Sequence, residues 1–354
     1  MKPKSLPLGP VMLDLEGTGL DEEGRRRLMH PLTGGVILFS RNFADSEQLS
    51  RLIAEIRALR NPPLITAVDH EGGRVQRFRD GFTPIPSMSE LGRAWDLRPQ
   101  RARQLAQELG FVLAAELRAH GVDVSLAPVL DIDCGISDVI GDRAFHSDPH
   151  AIAELARALL NGFKQAGMSG VGKHFPGHGH VSADSHHETP VDERTYAEIE
   201  GTDLVPFRRL IDTGLGGIMP AHVVYPRVDD RLAGFSTVWL KQVLRGKLGF
   251  GGVIFSDDLG MQAAGVAGGV VERARAALDA GCDMVLICND PPAADALLDG
   301  LSYTMPAVSL ARLARMHGRH ALEGMVRLRE NAQYINALHS ISEIGQRNGE
   351  LPLA

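Results

Sequence analysis

Short apolar runs rich in β-branched residues alternate with longer amphipathic stretches from near residue 10 to residue 290. A short apolar run bounded by glycine and polar residues predicts a strand, and an unbroken run indicates a strand that is covered on both faces. Eight runs fit this description: Val11–Leu15, Gly35–Phe39, Leu64–Val68, Val124–Val129, Gly170–His174, Gly217–Ala221, Gly252–Phe255 and Met284–Ile287. These runs predict a parallel sheet buried between helices.

The amphipathic stretches between the runs predict helices. In Arg101–His120, leucine and valine recur at spacings of three and four, which places them on one helix face. The other helical segments are Ser46–Arg60, Pro149–Ala166, Tyr196–Thr213, Val238–Lys247, Gln262–Ala280 and Pro292–Leu301. Eight consecutive strand–helix units favour an α/β fold of the TIM type, a (β/α)8 barrel, over a six-stranded open sheet.

The pattern is not interrupted by a linker or a low-complexity tract. We therefore predict one catalytic domain over residues 1–354. Its barrel would occupy about residues 10–305, and a C-terminal helix would occupy roughly Ser309–Ala337.

Composition and charge narrow the class of protein. The 354 residues are 44% hydrophobic and 23% charged, and the net charge of −7 is the wrong sign for a nucleic-acid-binding surface. No segment reaches the roughly 18 apolar residues of a membrane span, and the N-terminus lacks the apolar core of a signal peptide. The three cysteines, Cys134, Cys282 and Cys288, lack metal-type spacing and predict free thiols. We expect a cytoplasmic protein without a cofactor. It would be a monomer, with an oligomer left open.

Polar residues gather just beyond six of the predicted strands. They are Asp69 to Arg77, Asp131 to Asp133 with Gly141 to Phe145, Lys173 to His187, His222, Ser256 to Asp258, and Asn289 with Asp290. One aspartate at a strand end is more often a helix N-cap than a catalyst. A barrel, however, brings all these ends to one rim, where so many charges without a ligand would be unfavourable. The set therefore predicts a binding site.

A sugar suits this ring of donors and acceptors, because each hydroxyl group both donates and accepts hydrogen bonds. Glycoside cleavage needs a group at the anomeric carbon and a proton donor at the leaving oxygen. Asp257, at the end of an apolar strand, suits the first task. His186 suits the second because imidazole titrates near neutrality, and Asp184 could orient it. His186 as an ordinary surface histidine remains an alternative.

A metal site is the rival interpretation of the same loop. His174, His178, His180, Asp184, His186 and His187 lie within fourteen residues, and imidazole is the commonest metal ligand. The loop has no His-Glu-x-x-His pair, and its glycines and proline argue against a helix that would present two histidines on one face. A metal-dependent barrel hydrolase thus stays open as an alternative to the glycosidase.

At these residues the chain resembles glycoside hydrolase family 3, and within it the bacterial single-domain β-N-acetylhexosaminidases. The longest match is Lys173-His174-Phe175-Pro176-Gly177-His178-Gly179, followed by Asp184-Ser185-His186 and Pro190. Supporting matches, in the family's order, are Asp69 to Val75, Leu126 to Asp131, Gly141 to Arg143 and Ser256 to Leu259.

The resemblance implies a covalent, retaining mechanism with Asp257 as nucleophile and His186, assisted by Asp184, as acid and base. It also implies that Asp69, Arg77, Arg143, Lys173 and His174 bind the sugar. The implied substrate is GlcNAc β-1,4-linked to a 1,6-anhydro-MurNAc peptide, recycled from the cell wall. Many family members take their acid/base from a second domain, for which this chain has no room. Some related bacterial enzymes have Asp-Thr where this chain has His180-Val181, so no role is inferred for these two positions.

Two further functions compete with the hydrolase. A non-catalytic sugar-binding barrel would need neither Asp257 nor the Asp184/His186 pair. A phosphorylase acting on the same linkage could share the nucleophile and differ mainly in the acceptor, so turnover with and without phosphate separates it from a hydrolase.

Overall fold

A computed structural model of the chain describes residues 4–182, 189–319, 324–342 and 344. Eight parallel strands form a closed barrel. In chain order they are β1 (Val11–Leu13), β2 (Thr33–Leu38), β3 (Ile65–Val68), β4 (Val124–Ser125), β5 (Ser169–Phe175), β6 (Gly217–Pro220), β7 (Val253–Asp258) and β8 (Met284–Ile287). All eight predicted strands are present, and the predicted (β/α)8 barrel is confirmed.

Each strand pairs with its neighbour in sequence, and β8 closes the ring by pairing with β1 through Val285 and Val11. The strands from β1 to β6 and β8 are almost entirely buried, which explains why their sequences do not alternate between apolar and polar residues. Because all strands are parallel, their carboxyl ends meet at one rim of the barrel. The polar residues that follow the strands in sequence therefore share that rim.

The helices are α1 (Glu22–Leu28), α2 (Ser46–Ala58), α3 (Met88–Leu97), α4 (Pro99–Ala119), α5 (Pro149–Gln165), α6 (Tyr196–Gly201), α7 (Leu204–Asp212), α8 (Val270–Ala280), α9 (Pro291–Gly300), α10 (Ala307–Ala314), α11 (Gly324–Arg329) and α12 (Ala332–Ile341). Side-chain caps fix several starts. Asp45 accepts a hydrogen bond from the backbone N–H of Gln48, and Thr195 forms a capping box with Glu198.

Three predicted helices differ in detail from the structure. Tyr196–Thr213 is divided into α6 and α7, and Gln262–Ala280 is divided into a 3₁₀ helix, Gln262–Ala267, and α8. Gly268, at a φ of 102°, separates the last two. Val238–Lys247 is a π-helix rather than an α-helix. Helical periodicity therefore located each segment but did not show the breaks within it.

The C-terminal part contains α10, α11 and α12 where one helix was predicted over Ser309–Ala337. Asn331 ends the run before α12, because its side chain accepts the backbone N–H of Tyr334 at 3.0 Å. Tyr334 Oη donates to the buried Glu116 of α4 at 2.6 Å and so fastens α12 to the barrel wall. The assignment of residues 1–354 to a single catalytic domain stays a prediction.

The structure also bears on the predictions about the cysteines and about membrane spans. Cys134, Cys282 and Cys288 are free thiols, and the last two are buried as expected from their apolar run. Among the helices of the described residues, none is long and apolar enough to cross a membrane.

Candidate active site

A cavity of about 690 Å³ opens at the carboxyl ends of the barrel strands. Six of the predicted site residues line it: Asp69, Arg77, Arg143, Lys173, His174 and Asp257. Three of them follow β3 and β4, and the other three lie at the carboxyl ends of β5 and β7, so the barrel brings together residues up to 188 positions apart. The other two, Asp184 and His186, belong to residues 183–188 and lie outside the described residues.

The residues after β3 form a small antiparallel ribbon, His70–Gly72 with Val75–Gln76. Gly72 has a φ of 110°, and a Cβ there would lie 2.6 Å from the carbonyl oxygen of Pro86. Only glycine fits this turn without a rearrangement. The turn places Glu71 on one side and Arg74 on the other, both at the cavity.

Glu71 is the centre of a buried charge cluster. Its carboxylate accepts Arg143 Nε and Nη2, both at 2.8 Å, and lies 2.7 Å from Lys173 Nζ. Lys173 Nζ also donates to Asp69 Oδ1 at 2.9 Å. Burial alone would raise the pKa of Glu71, but Lys173 and Arg143 lower it far below its ordinary value. The cluster thus holds two cations in fixed positions at the cavity wall.

The pKa of Lys173 is raised. Its burial acts in the opposite direction, but the charges of Asp69 and Glu71 outweigh it. Arg77 approaches the other oxygen of Asp69, with Nη2 3.7 Å from Oδ2, and its guanidinium lies 5.6 Å from the ring centroid of Phe39. Asp69 therefore lies between two cations, and its carboxylate keeps lone pairs that can accept further hydrogen bonds.

Asp131 holds the loop that follows β5. Its carboxylate accepts His174 Nδ1 at 2.7 Å and the backbone N–H of His178 at 2.7 Å. Burial would raise the pKa of Asp131, but the interactions with His174 lower it below the ordinary value. This carboxylate fixes the ring of His174 at the cavity and fixes the start of the His178 turn.

Asp257 and its neighbour Asp258 have opposite protonation tendencies. Burial would raise the pKa of Asp257, but His222, His174, the backbone N–H of Asp258 and Lys173 lower it below the ordinary value. Asp258 is different, because burial raises its pKa to about 7 despite hydrogen bonds from the backbone N–H groups of Gly260 and Cys288. Of the two carboxyl groups, Asp257 is therefore the one that ionises more readily, which suits the role predicted for it.

The hydrogen bonds of Asp258 connect β7 to its surroundings. Oδ1 accepts the N–H groups of Gly260 at 2.9 Å and Cys288 at 3.1 Å, and its carbonyl oxygen accepts His222 Nε2 at 3.0 Å. These contacts fix the backbone of β7 directly after Asp257. They support the sequence-based choice of Asp257 over Asp258 for chemistry.

Glu71 and Asp131 were not among the predicted site residues, although both belong to the motifs quoted above. Their partners, Arg143 and His174, lie 72 and 43 positions away in sequence. A signal was present, because two cations predicted at one sugar site require nearby anions if they are buried. Glu71 was the acidic residue next to Asp69 that could meet this need.

The metal alternative receives no support from the described part of the chain. Within residues 4–182, 189–319 and 324–342, no three His, Cys, Asp or Glu side chains are placed to hold a metal ion. Three of the histidine and acidic residues on which that alternative rests, Asp184, His186 and His187, are outside these ranges.

Comparison with known proteins decides the family. The sequence profile of the glycosyl hydrolase family 3 N-terminal domain matches residues 12–316. The chain belongs to glycosyl hydrolase family 3. The family match covers the barrel from the second residue of β1 to the end of β8 and includes every predicted site residue, Asp184 and His186 among them.

Within the family, the chain is similar over nearly its whole length to β-hexosaminidases and to a protein of known structure. It is 62% identical to a β-hexosaminidase of Nitrosospira multiformis, over 98% of this chain and 100% of the relative. It is 59% identical to a β-hexosaminidase of Methylobacillus flagellatus, over 99% and 100%. A crystal structure of NagZ from Neisseria gonorrhoeae with N-trifluoroacetyl-D-glucosamine is similar, with a TM-score of 0.92 and 48% identity over 97% of this chain and 100% of that one.

Proposed function

We propose that this family 3 chain is a retaining exo-β-N-acetylglucosaminidase that removes terminal, non-reducing GlcNAc. The observation that carries the proposal is Asp257, a carboxylate with a lowered pKa in a cavity that is also lined by the Asp69–Lys173–Glu71–Arg143 cluster. Such a cavity can bind a polyhydroxylated ring and present a carboxylate to its anomeric carbon. The names of the β-hexosaminidase relatives and the amino-sugar bound to the Neisseria protein support an N-acetylated sugar.

In the proposed first step, an Asp257 oxygen bonds to the anomeric carbon while the bond to the leaving oxygen breaks. His186, oriented by Asp184, gives its proton to that oxygen. In the second step His186 takes a proton from water, the water oxygen bonds to the anomeric carbon, and the Asp257 ester breaks. Two inversions give net retention. The roles of His186 and Asp184 follow from the family resemblance.

Asp258 is the competing proton donor, because a carboxyl group with a raised pKa can act as a general acid. Its Oδ1, however, accepts two backbone N–H groups, which keeps that oxygen in the wall between β7 and β8. It also follows Asp257 directly on one strand, whereas the acid must reach the leaving group from beside the sugar. We therefore assign Asp258 to the support of β7.

The proposed physiological substrate is GlcNAc linked to a 1,6-anhydro-MurNAc peptide, and the proposed location is the cytoplasm, where such fragments would be recycled during cell-wall turnover. The resemblance to family 3 hexosaminidases supports this substrate and, with it, the location. The chain would act as a monomer without a cofactor.

The decisive assay compares an aryl N-acetyl-β-glucosaminide with the matched aryl β-glucoside. We expect kcat/KM to be higher for the amino-sugar by a factor on the order of 10⁴, because a site built to hydrogen-bond a substrate group rejects analogues that lack it. Asp257→Ala should abolish turnover on both. Equal kcat/KM values would contradict the amino-sugar assignment, and a rate that requires inorganic phosphate would replace the hydrolase by a phosphorylase.

A further inference from the structure

The imidazole of His178 lies in the wall of the cavity, where the described part of the chain gives it no hydrogen-bond partner. The residue is 3% exposed and lines the cavity beside His174 and Asp257. Neither Nδ1 nor Nε2 has a partner among the described residues. Buried polar groups in proteins are nearly always hydrogen-bonded, so an imidazole with two unpaired nitrogens at a binding cavity calls for a ligand.

The position of this ring is imposed by its backbone. The N–H of His178 donates to Asp131 Oδ1 at 2.7 Å, and the same carboxylate holds His174. The next residue, Gly179, lies so close to Ile132 that a Cβ would be 1.9 Å from the Ile132 carbonyl oxygen. Both contacts restrain the turn and, with it, the position of the ring. The two imidazoles meet edge to face, with ring centroids 6.0 Å apart.

Burial lowers the pKa of His178, and the neighbouring His174 lowers it further, while Asp131 and Asp257 act in the opposite direction. The ring is thus neutral near pH 7, with one nitrogen that donates and one that accepts. An uncharged donor–acceptor pair suits an amide better than it suits a carboxylate or a phosphate.

We propose that His178 binds the acetamido group on carbon 2 of the sugar. This inference rests on the proposed function. Asp257 attacks carbon 1, and His178 lines the same cavity as Asp257, close enough to be affected by its charge. The neighbours of carbon 1 in the ring are the ring oxygen and carbon 2. A donor on the ring oxygen would oppose the positive charge that develops there, so the substituent on carbon 2 is the favoured partner.

The hydroxyl groups farther round the ring are then left to the charged cluster of Asp69, Arg77, Lys173 and Arg143. In this division of tasks, the charged cluster binds hydroxyl groups that gluco-configured sugars have in common, and the neutral histidine selects the N-acetylated sugar.

The test is His178→Leu, which removes both ring nitrogens and puts an apolar side chain of similar size in their place. We expect kcat/KM on the aryl N-acetylglucosaminide to fall about tenfold or more, and on the aryl glucoside to change less than about threefold. The affinity for free GlcNAc, measured by calorimetry, should fall in parallel. His178→Asn, whose amide can both donate and accept, should recover part of the loss.

The matched control is His180→Leu, two residues away in the same turn. His180 does not line the cavity, and its Nδ1 lies 3.5 Å from Asp203 Oδ1. His180→Leu should not change the ratio of kcat/KM on the N-acetylglucosaminide to kcat/KM on the glucoside. Because the ring of His178 has no hydrogen-bond partner to lose among the described residues, the Tm of His178→Leu should equal or exceed that of the unaltered protein. A lower Tm with equal losses on both substrates would show a structural role and overturn the inference.

The two proposals fail in different ways. If the unaltered protein does not prefer the N-acetylglucosaminide, the proposed function is wrong. If it does, and His178→Leu keeps that preference, only the assignment of His178 is wrong.

Discussion

Replacement of Glu71 by Gln should destabilise the fold more than any surface charge substitution. The side chain is 4% exposed and accepts Arg143 at 2.8 Å twice, with Lys173 at 2.7 Å. Gln keeps one acceptor oxygen and turns an NH₂ group toward a cation. Removing one partner of a buried ion pair costs about 3–5 kcal/mol, because the remaining charges stay buried.

Urea unfolding followed by far-ultraviolet circular dichroism measures this loss. With a slope of about 3 kcal/mol per molar urea, the midpoint at pH 7 should fall by about 1–2 M. Glu47→Gln is the matched control, because Glu47 pairs with Arg51 on the surface with 83% of its side chain exposed, and its midpoint should not change. A Glu71→Gln midpoint within about 0.3 M of the original, at an unchanged slope, would refute the reasoning.

The stabilisation of the fold by Glu71 should depend on pH in a defined direction. The pKa of Glu71 is lowered in the folded protein from an ordinary value of 4.5. Its contribution to the free energy of unfolding is therefore complete above that value and is lost as the pH falls below it. The difference in the free energy of unfolding between the unaltered protein and Glu71→Gln should therefore become smaller from pH 5 to pH 3. A difference that stays constant over this range would mean that the charge of Glu71 is not its cause.

Three further predictions concern the chemistry. His186→Ala should lose about 10²–10⁴-fold more activity on a chitobiose-like substrate than on a nitrophenyl glycoside in single-turnover assays, because a sugar alkoxide needs a proton to depart; equal losses would exclude His186 as the acid. Asp258→Asn should keep most of the turnover of the unaltered enzyme and lower its Tm, since it leaves Asp257 in place; an inactive Asp258→Asn beside an active Asp257→Ala would reverse the assignment. Dialysis against a chelator should leave turnover unchanged, whereas a loss restored by zinc would favour the metal-dependent alternative.

The sequence predicted the barrel well because each strand is buried on both faces. A segment such as Met284–Ile287 is an uninterrupted apolar run, and all four of its residues are buried. The helical segments were found for a similar reason, since their apolar faces repeat every three or four residues. Breaks within them depend on single residues such as Gly268, whose backbone conformation a periodicity does not reveal.

The sequence was sufficient to predict that the charged residues at the strand ends lie together, because the parallel strands of a barrel point to one rim. It was not sufficient to predict which of these residues form pairs. Whether Lys173 meets Glu71 or only Asp69 depends on the turn at Gly72, and whether His178 finds a protein partner depends on the packing of its loop against Asp131 and Ile132. These are properties of the folded chain, and local sequence patterns do not contain them.

The most direct test of the account is to identify the residue that carries the sugar. His186→Ala should react with a nitrophenyl N-acetyl-β-glucosaminide and then stall, because it lacks the base for the second step. Quenching with acid, digestion and mass spectrometry should find one N-acetylhexosaminyl unit on the peptide that contains Asp257, with fragmentation placing it on that residue. The same label on Asp258, or burst-free hydrolysis with retention and no label on any carboxylate, would contradict the account.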